Sequence, residues 1–424
     1  MTEWRKVKLG DYCEITSSKR IFYNEYVESG VPFYRSKEII EKAKGDTIST
    51  PLFISHARFE EIKESFGAPQ KRDLLLTAVG SLGIPYLIND SNPFYFKDGN
   101  LIWFKSFNDD LNSEFLYYWF KTRSAFQMLD KIAIGSAQKA LTISSIKQIS
   151  IEIPARDIQD RIVTVLSRYD ALIENYQRQI KLLEEAAQRL YKEWFVDLRF
   201  PGHQSTPIIN NLPQSWQKKK LAEIIAYEIG GGWGFDDNSN KGTVPAYVIR
   251  GTDMEGLQNG SFSGLPFRYH LESNFKSRKL EPCDIIFEVS GGSKTEGVAK
   301  TFLIQDSLLN QFNAPVICAS FCKLIRLKCP ETAYYVYDTL KYWRASGVTT
   351  QYDKRSASSI VNYRWKDFLE QQEIMIPNDN VLSQYLDSSK QIHSRMSNLA
   401  IQIRNLSEAR DRLLPKLMSA EIDV

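Results

Sequence analysis

Two short segments carry residue types that could act on a nucleotide or a nucleobase. Ser290-Gly-Gly-Ser-Lys-Thr295 resembles a phosphate-binding loop, but Ser293 stands where that loop needs a glycine before the lysine. Ser91-Asn-Pro-Phe94 lacks one proline of the Asp/Asn-Pro-Pro-aromatic loop that adenine methyltransferases use. Neither pattern is complete, so the sequence predicts neither ATP binding nor methyl transfer by this chain itself.

A nuclease centre would need paired carboxylates and a lysine around a metal ion. Asp284, Glu288 and Lys294 offer these residue types, but without a Glu-x-Lys spacing. Asp73 and Thr77 stand at the equivalent positions of an internal repeat described below, so the second carboxylate is not repeated. The pattern favours a chain without intrinsic catalysis.

Five cysteines could bind zinc or form disulfides, and they stand at positions 13, 283, 318, 322 and 329. Their number is odd and no export signal precedes them, which indicates free thiols. Cys318, Cys322 and Cys329 lack the C-x-x-C spacing or the nearby histidine of a zinc site. No metal site is therefore predicted.

Length and charge indicate a soluble protein with two domains. At 424 residues, the chain is too long for one ordinary domain. Its N-terminus enters charged sequence without an apolar stretch, and no apolar run of transmembrane length follows. The formal net charge is only +3, so a nucleic acid would have to be held by local basic clusters. We expect a cytoplasmic protein that contacts no membrane.

An internal repeat covers nearly the whole chain. The matched positions, in chain order, are Trp4 with Trp216, Val31-Pro32 with Val244-Pro245, Asp73 with Asp284, Tyr117-Tyr118 with Tyr334-Tyr335, and Pro154 with Pro377. After that proline the copies align with a constant offset of 223 residues. Each half is therefore predicted to hold a lobe of mixed α and β structure followed by a segment of fixed length. Within the lobes, residues 115–129 and 333–345 are each expected to form an aromatic-rich helix.

The two fixed segments carry the heptad pattern of a coiled coil, with apolar residues at alternating steps of four and three. The first seam is Tyr169, Ile173, Tyr176, Ile180, Leu183, Ala187, Leu190 and Trp194, and the second is Ile392, Met396, Leu399, Ile403, Leu406, Arg410, Leu413 and Leu417. Arg410 interrupts the second seam, which suits a seam end open to solvent. Pro415 is expected to end the helix before Leu417.

The helical segments are electrically neutral. Residues 156–199 contain eight basic and eight acidic side chains, and residues 378–424 contain six of each. The positive excess therefore lies in the lobes and the linker. This division assigns DNA to the lobes and protein contacts to the helices.

Together these features resemble the specificity subunit of a type I restriction-modification system. Each half opens with a tryptophan and a Leu-Gly-Asp-like run, here Leu9-Gly10-Asp11 and Leu221-Ala222-Glu223. The helix ends, 186–195 and 413–422, are similar to the helix-end signatures of that family. The resemblance implies an α+β fold. Two tandem mixed α/β target-recognition domains would each be followed by a long helix, and the helices would pair as an antiparallel coiled coil with pseudo-two-fold symmetry.

The expected boundaries are 1–154 for the first target-recognition domain, 155–200 for the central helix, 201–213 for the linker, 214–377 for the second target-recognition domain and 378–424 for the C-terminal helix. The resemblance implies that each lobe reads one half of a split site in double-stranded DNA. The helix pair would act as a ruler that leaves about six to eight base pairs between the half-sites.

The resemblance also implies partners. Two methyltransferase subunits would dock on the helices, and restriction and motor subunits would join them. S-adenosylmethionine, ATP and Mg²⁺ would belong to those partners, while this chain would be a non-catalytic specificity subunit. The assembled complex would methylate adenine N6 after base flipping and would cleave DNA with ATP.

Candidate DNA contacts are polar and basic residues of the lobe loops, namely Lys19, Arg20, Arg35, Ser81, Lys139, Trp233, Arg250, Ser293, Lys294, Thr295, Lys354 and Arg355. The run 16–20 corresponds to the glycine-rich run 230–234, whose backbone amides could approach phosphates or could form an ordinary hairpin turn. Arg35 and Arg250 are equivalent, and each could grip guanine or phosphate or pair with a carboxylate of its own lobe. The other basic groups could be solvated surface.

Two other classes of function stay open at this point. A stand-alone DNA-modifying enzyme would turn over DNA without partners. A coiled-coil scaffold would explain the helices but not two large repeated lobes.

Overall fold

The structure is a computed structural model that describes residues 4–45, 48–135, 139–238, 242–291, 297–355 and 360–424. The chain divides into two compact units. The first comprises Met1–Asp170 and Glu408–Val424, and the second comprises Ala171–Ser407. Each unit therefore combines one lobe with parts of both long helices.

The first unit contains strands β1 Arg5–Lys8, β2 Glu14–Thr16, β3 Tyr26–Val27, β4 Val31–Tyr34, β5 Phe53–Ile54, β6 Leu74–Thr77, β7 Pro85–Leu87, β8 Tyr95–Phe96, β9 Leu101–Lys105 and β10 Ser150–Ile153. Its helices are α1 Ser36–Lys44, α2 His56–Phe66, α3 Ser113–Phe120, α4 Arg123–Ile132, α5 Ile143–Lys147 and the start of α6, Arg156–Tyr191. The strands form sheets of order β2-β9-β6-β7, β3-β5-β4-β8 and β1-β10.

The second unit contains strands β11 Ile208–Ile209, β12 Leu212–Pro213, β13 Gln217–Lys220, β14 Ile225–Gly230, β15 Val244–Ile249, β16 Phe267–His270, β17 Ile285–Glu288, β18 Ser290–Gly291, β19 Thr301–Leu303, β20 Val316–Cys318, β21 Cys322–Leu327, β22 Asp353–Arg355, β23 Val361–Tyr363 and β24 Glu373–Ile376. Its helices are α7 Leu221–Ile224, α8 Met254–Gln258, α9 Glu272–Arg278, α10 Asp306–Leu309, α11 Ala333–Ala345, α12 Trp365–Gln371 and most of α13, Asp379–Met418.

The repeat seen in the sequence is a repeat of topology. The sheet β14-β21-β17-β19 of the second lobe has the same strand order as β2-β9-β6-β7 of the first. In each lobe the strand after the opening tryptophan pairs antiparallel with the strand before the long helix, Arg5 opposite Ile153 and Gln217 opposite Ile376. The prediction of two mixed α and β lobes is confirmed.

Helix prediction in the lobes was correct for one segment and incomplete for the other. Residues 333–345 form the single helix α11, as expected. Residues 115–129, expected as one helix, belong to α3 and α4. The break occurs because the Thr122 hydroxyl accepts a hydrogen bond from the Ala125 amide at 3.1 Å and caps a new helix.

The two long helices pack against each other in antiparallel directions, as predicted. In the second unit Ile173 and Ile180 of α6 share a buried cluster with Met396, Leu399 and Ile403 of α13, flanked by half-buried Tyr176, Leu183, Ile392 and Leu406. Ala187 is buried, and Leu190 and Trp194 pack against the core of that unit. In the first unit Leu414 and Leu417 of α13 join Ile158, Ile162 and Leu166 of α6, Leu413 packs at their edge, and Tyr169 is half-buried.

Two expectations about the end of the second seam were wrong. Helix α13 continues through Pro415 to Met418, because the loss of one backbone hydrogen bond is offset by the burial of Leu414 and Leu417. Arg410 is not a solvent-open break in the seam. Its guanidinium donates to Asp170 of α6 at 2.6 Å, so a charged pair replaces an apolar contact at this layer.

The stretch predicted as a linker contains structure of its own. Helix α6 ends in a π-helical turn, Lys192–Val196, and Phe200 then packs on the ring of Trp216 with the ring centroids 4.8 Å apart. A short hairpin pairs Ile208 with Pro213 across 201–213. The residues that precede the second lobe in sequence therefore already pack against its core.

All five cysteines are free, and Cys329 is the exposed one. Burial raises the pKa of the Cys13 and Cys318 thiols to about 12. No cluster of metal-ligating side chains occurs in the described part of the chain. Across the same residues, no helix combines the length and apolarity that crossing a bilayer requires.

We expect iodoacetamide at pH 8 to label Cys329 first in the folded chain, with Cys13, Cys318 and Cys322 protected until unfolding. The Cys329 thiol donates to Glu331 Oε2 at 3.0 Å, and this hydrogen bond raises the thiol pKa. Glu331→Gln should therefore increase the thiolate fraction and the labelling rate, which intact-mass spectrometry would follow. Early labelling of the buried thiols would contradict the packing described above.

Candidate nucleic-acid interface

A cleft in the first unit brings together two of the predicted DNA contacts. Arg20 and Arg35 line it with Lys97 and Asp98, and its volume is about 520 Å³. Arg20 lies in the loop after β2, Arg35 lies between β4 and α1, and Lys97 follows β8. Three basic side chains and one acidic side chain thus meet at one opening.

The loop after β2 is fixed by hydrogen bonds to the neighbouring strands. The Ser17 hydroxyl donates to the Leu101 carbonyl at 3.1 Å, and the Ser18 hydroxyl donates to the Phe96 carbonyl at 2.6 Å. The Lys19 amide donates to the Tyr95 hydroxyl at 2.8 Å, while its ammonium lies 4.5 Å from the centroid of the Phe66 ring. The loop therefore holds Arg20 in place at the cleft.

Each arginine of the cleft has a carboxylate partner in its own lobe. Arg20 Nε donates to Asp98 Oδ2 at 2.8 Å, and two-thirds of the Arg20 side chain is exposed. Arg35 forms a forked pair with Glu38 at 3.1 and 2.5 Å. Burial opposes ionisation of Glu38, but the hydrogen bonds from Arg35 outweigh it and lower the pKa of the carboxyl. The carboxylate pairing left open for Arg35 is present, and the guanidinium still lines the cleft.

The second lobe repeats this local arrangement at Arg250. Its guanidinium donates to both carboxylate oxygens of Asp253, at 2.8 and 2.7 Å, and its backbone amide donates to the same carboxylate. Both arginines therefore have the same local role. Each stands directly before a helical turn and pairs with the carboxylate three residues further on. A role of either arginine in DNA contact stays a prediction.

The glycine-rich run of the second lobe serves packing. A Cβ atom on Gly231 would lie 2.2 Å from the Ala319 carbonyl oxygen, so only glycine fits this close backbone approach. The amides of Gly231 and Gly232 donate to the carbonyls of Cys322 and Cys318, both at 2.9 Å. These two amides are engaged with the ends of β20 and β21, an arrangement that is neither a phosphate site nor an ordinary hairpin turn.

Beside this run lie the exposed ring of Trp233 and two arginines, of which Arg268 has only 14% of its side chain exposed. The Arg268 guanidinium lies 4.9 Å from the Trp233 ring centroid and pairs with Asp236. Arg278 Nε donates to the Gly230 carbonyl at 2.9 Å. Burial, together with the positive charges of Arg268 and Arg278, lowers the pKa of His270. Trp233 was predicted as a contact, whereas Arg268 and Arg278 were missed because they lie far away in sequence.

The other predicted contacts do not join either surface. Ser81 is exposed between β6 and β7, Lys139 pairs with Asp130 at 2.5 Å, and Lys354 and Arg355 are exposed on β22. Ser293, Lys294 and Thr295 lie outside the described residues. The alternative that these side chains are ordinary solvated surface stays open for Ser81, Lys139, Lys354 and Arg355.

The sequence also failed to single out Phe22, Tyr23 and Lys97 at the cleft. Phe22 and Tyr23 are 60% and 88% exposed, and both line the cleft. The available signal was two adjacent aromatic residues directly after the basic pair Lys19-Arg20.

Comparison with known proteins relates the whole chain to one family. Residues 1–185 match the model of the type I restriction modification DNA specificity domain. The type I restriction enzyme MjaIX specificity subunit of Methanocaldococcus jannaschii is 26% identical, over 100% of this chain and 94% of that protein. The chain is a relative of the type I restriction-modification specificity subunits.

Further similarities agree with this relationship. A putative type I restriction enzyme specificity subunit of Haemophilus influenzae, S.HindORF215P, is 28% identical over 44% of this chain and 45% of its own length. The crystal structure of the type I restriction-modification S subunit from M. genitalium covers 98% of this chain and 96% of that chain, with a TM-score of 0.58 at 14% identity. The fold of this specificity-subunit relative is therefore that of tandem lobes with paired long helices.

Proposed function

We propose that the chain is a non-catalytic specificity subunit that reads a two-part site in double-stranded DNA, with one half-site per lobe. One observation carries the proposal. After the equivalent strands β2 and β14, each lobe places an exposed aromatic side chain close to an arginine, Phe22 with Arg20 at the cleft and Trp233 with Arg268 of β16. Basic groups bind the phosphate backbone, and adjacent aromatic groups can contact bases.

The paired helices suit a second role, the docking of partner subunits. Their segments carry equal numbers of basic and acidic side chains, which favours protein contacts over phosphate contacts. Under this proposal two methyltransferase subunits dock there, and restriction subunits join them. S-adenosylmethionine, ATP and Mg²⁺ then belong to the partners. Helix α13, with 40 residues, is about 60 Å long, enough to separate half-sites by about six to eight base pairs.

We expect co-expression with the methyltransferase subunit of the same system to methylate adenines within one split motif of fixed spacing. Single-molecule sequencing of plasmid DNA would map the sites. Replacing residues 4–154 with the first lobe of a related specificity subunit should change one half of the motif and leave the other half unchanged.

Two outcomes would overturn the proposal. A stable complex that methylates no defined motif would leave the helices as a scaffold for protein contacts. Methylation or cleavage of DNA by the purified chain alone, with S-adenosylmethionine and Mg²⁺, would indicate a stand-alone enzyme.

A further inference from the structure

Two neighbouring aromatic side chains are exposed at one rim of the cleft in the first unit. Tyr23 and Phe22 are 88% and 60% exposed, although each could bury a large apolar area. They stand at the 3₁₀ turn Tyr23–Glu25 between β2 and β3. Adjacent exposed rings of this size are typical of a binding surface.

The turn that carries them is braced by the rest of the lobe. The Phe22 amide donates to Glu25 Oε2 at 2.7 Å, and Arg58 Nε of α2 donates to Glu25 Oε1 at 2.7 Å. Ile21, next to Phe22, is buried in the lobe core. The backbone that presents the two rings is therefore preorganised, which reduces the entropy lost on binding.

The Tyr23 ring is supported from below. It makes an edge contact with Tyr26 at a centroid distance of 5.7 Å, and Tyr26 packs on buried Phe33 at 5.3 Å. No comparable support covers the outer face of Tyr23 in the described part of the lobe, as its exposure indicates. The Tyr23 ring thus touches the lobe through this edge contact, and most of its surface is open to a ligand.

The charges around the rings select the ligand. Arg20, Arg35 and Lys97 line the same cleft, and although Arg20 pairs with Asp98 and Arg35 with Glu38, the Arg20 side chain is two-thirds exposed. The nearby acids Glu25 and Glu38 are already paired with Arg58 and Arg35. Aromatic rings between basic groups match a nucleic acid, whose bases offer faces for stacking and whose phosphates offer negative charge.

We infer that Phe22 and Tyr23 form an aromatic wedge that contacts nucleobases of the half-site read by the first lobe, while Arg20 and Lys97 contact the flanking phosphates. The inference rests on the proposed function and adds the place and the chemistry of base contact. Inserting an aromatic side chain between base pairs requires the two base pairs to unstack, and the free-energy cost of unstacking depends on their sequence. The wedge should therefore favour half-sites that contain an easily deformed base step.

The test uses the complex of the full chain with its methyltransferase subunit. The F22A/Y23A double variant removes both rings, Tyr23→Phe retains the stacking surface, and Phe126→Ala removes a 57% exposed ring on α4 that does not line the cleft. Fluorescence anisotropy at fixed salt would measure the affinity of each complex for DNA that contains the motif methylated by the wild-type complex. We expect this affinity to fall about tenfold to a hundredfold for the double variant only. Mapping of methylated adenines should show a weaker base preference in one half-site of the double variant and an unchanged preference in the other half-site.

The outcomes separate the inference from the proposed function. A wild-type complex without a split motif overturns the proposed function. A wild-type split motif together with unchanged affinity and motif in the F22A/Y23A complex overturns the wedge alone. A double variant that folds, as shown by circular dichroism, but no longer binds the methyltransferase subunit would also overturn the wedge, because the rings would then be a protein contact.

Discussion

Replacing Asp338 with alanine is expected to lower the free energy of unfolding of the second unit by about 3–5 kcal/mol. Asp338 is fully buried on α11, and its carboxylate accepts three hydrogen bonds from α13. The donors are the hydroxyls of Tyr385 and Ser389 and Nε2 of His393, each at 2.7 Å. Alanine would leave three buried polar groups without this partner, and each such group costs about 1–3 kcal/mol.

Differential scanning calorimetry would measure the effect as a fall of about 10 °C in the transition of this unit. Asp387→Ala is the matched control, because Asp387 is an exposed carboxylate on α13, the helix that supplies the three donors. Asp338→Asn should lose less stability than Asp338→Ala, since the amide keeps an acceptor and the side-chain volume. Equal melting of Asp338→Ala and Asp387→Ala would refute a stabilising role for the network.

The second large effect is expected for Phe195→Ala. Phe195 is buried in the π-helical turn after α6, with its ring 4.7 Å from Tyr385, 4.8 Å from Tyr335 and 5.7 Å from Trp216. Removing a fully packed ring leaves a cavity, so the free energy of unfolding should fall by about 3–5 kcal/mol. The same ring joins the end of α6 to α11, α13 and the opening tryptophan of the second lobe.

Urea denaturation followed by tryptophan fluorescence would measure this loss, because Trp216 and Trp194 lie beside the Phe195 ring. Phe126→Ala, which removes an exposed ring, should change stability by no more than about 0.5 kcal/mol. Phe195→Leu should be intermediate. A Phe195→Ala chain as stable as the Phe126→Ala chain would show that the cluster can repack without cost.

The parts of the fold that depend on local periodicity could be predicted from the sequence. Ile180 and Ile403, which the constant offset pairs, belong to the same buried cluster between α6 and α13. The heptad rule succeeds here because side chains three or four residues apart share one helix face. The helix α11 was equally clear, since its apolar face is continuous from Ala333 to Ala345.

Features that depend on distant contacts could not be predicted. Pro415 has a strong local tendency to end a helix, but the packing of Leu417 in the first unit overrides it. Arg410 interrupts an apolar seam, and only the position of Asp170 in space explains why. The cleft brings Arg20 next to Lys97, which is far away in sequence, and no sequence period links such residues. The sequence could therefore name single arginines but not the surface they form.

In both units a carboxylate makes a polar contact between a long helix and a lobe, but the carboxylate lies on opposite sides of that contact in the two units. In the first unit Asp170 of α6 accepts from the Tyr118 hydroxyl at 2.8 Å, and the Lys121 ammonium lies 3.8 Å from it. The constant offset of 223 places His393 where Asp170 stands, and the match of Tyr117 with Tyr334 places Asp338 where Lys121 stands. The acid is on the long helix in one unit and on the lobe in the other.

We expect a chain in which the two lobes were exchanged to be less stable than the natural chain. The Asp338 carboxylate would then face Asp170 at the place where the Lys121 ammonium now lies, so that an acid would replace a base beside an acid. The polarity of these contacts therefore gives each lobe a preferred partner among the two long helices.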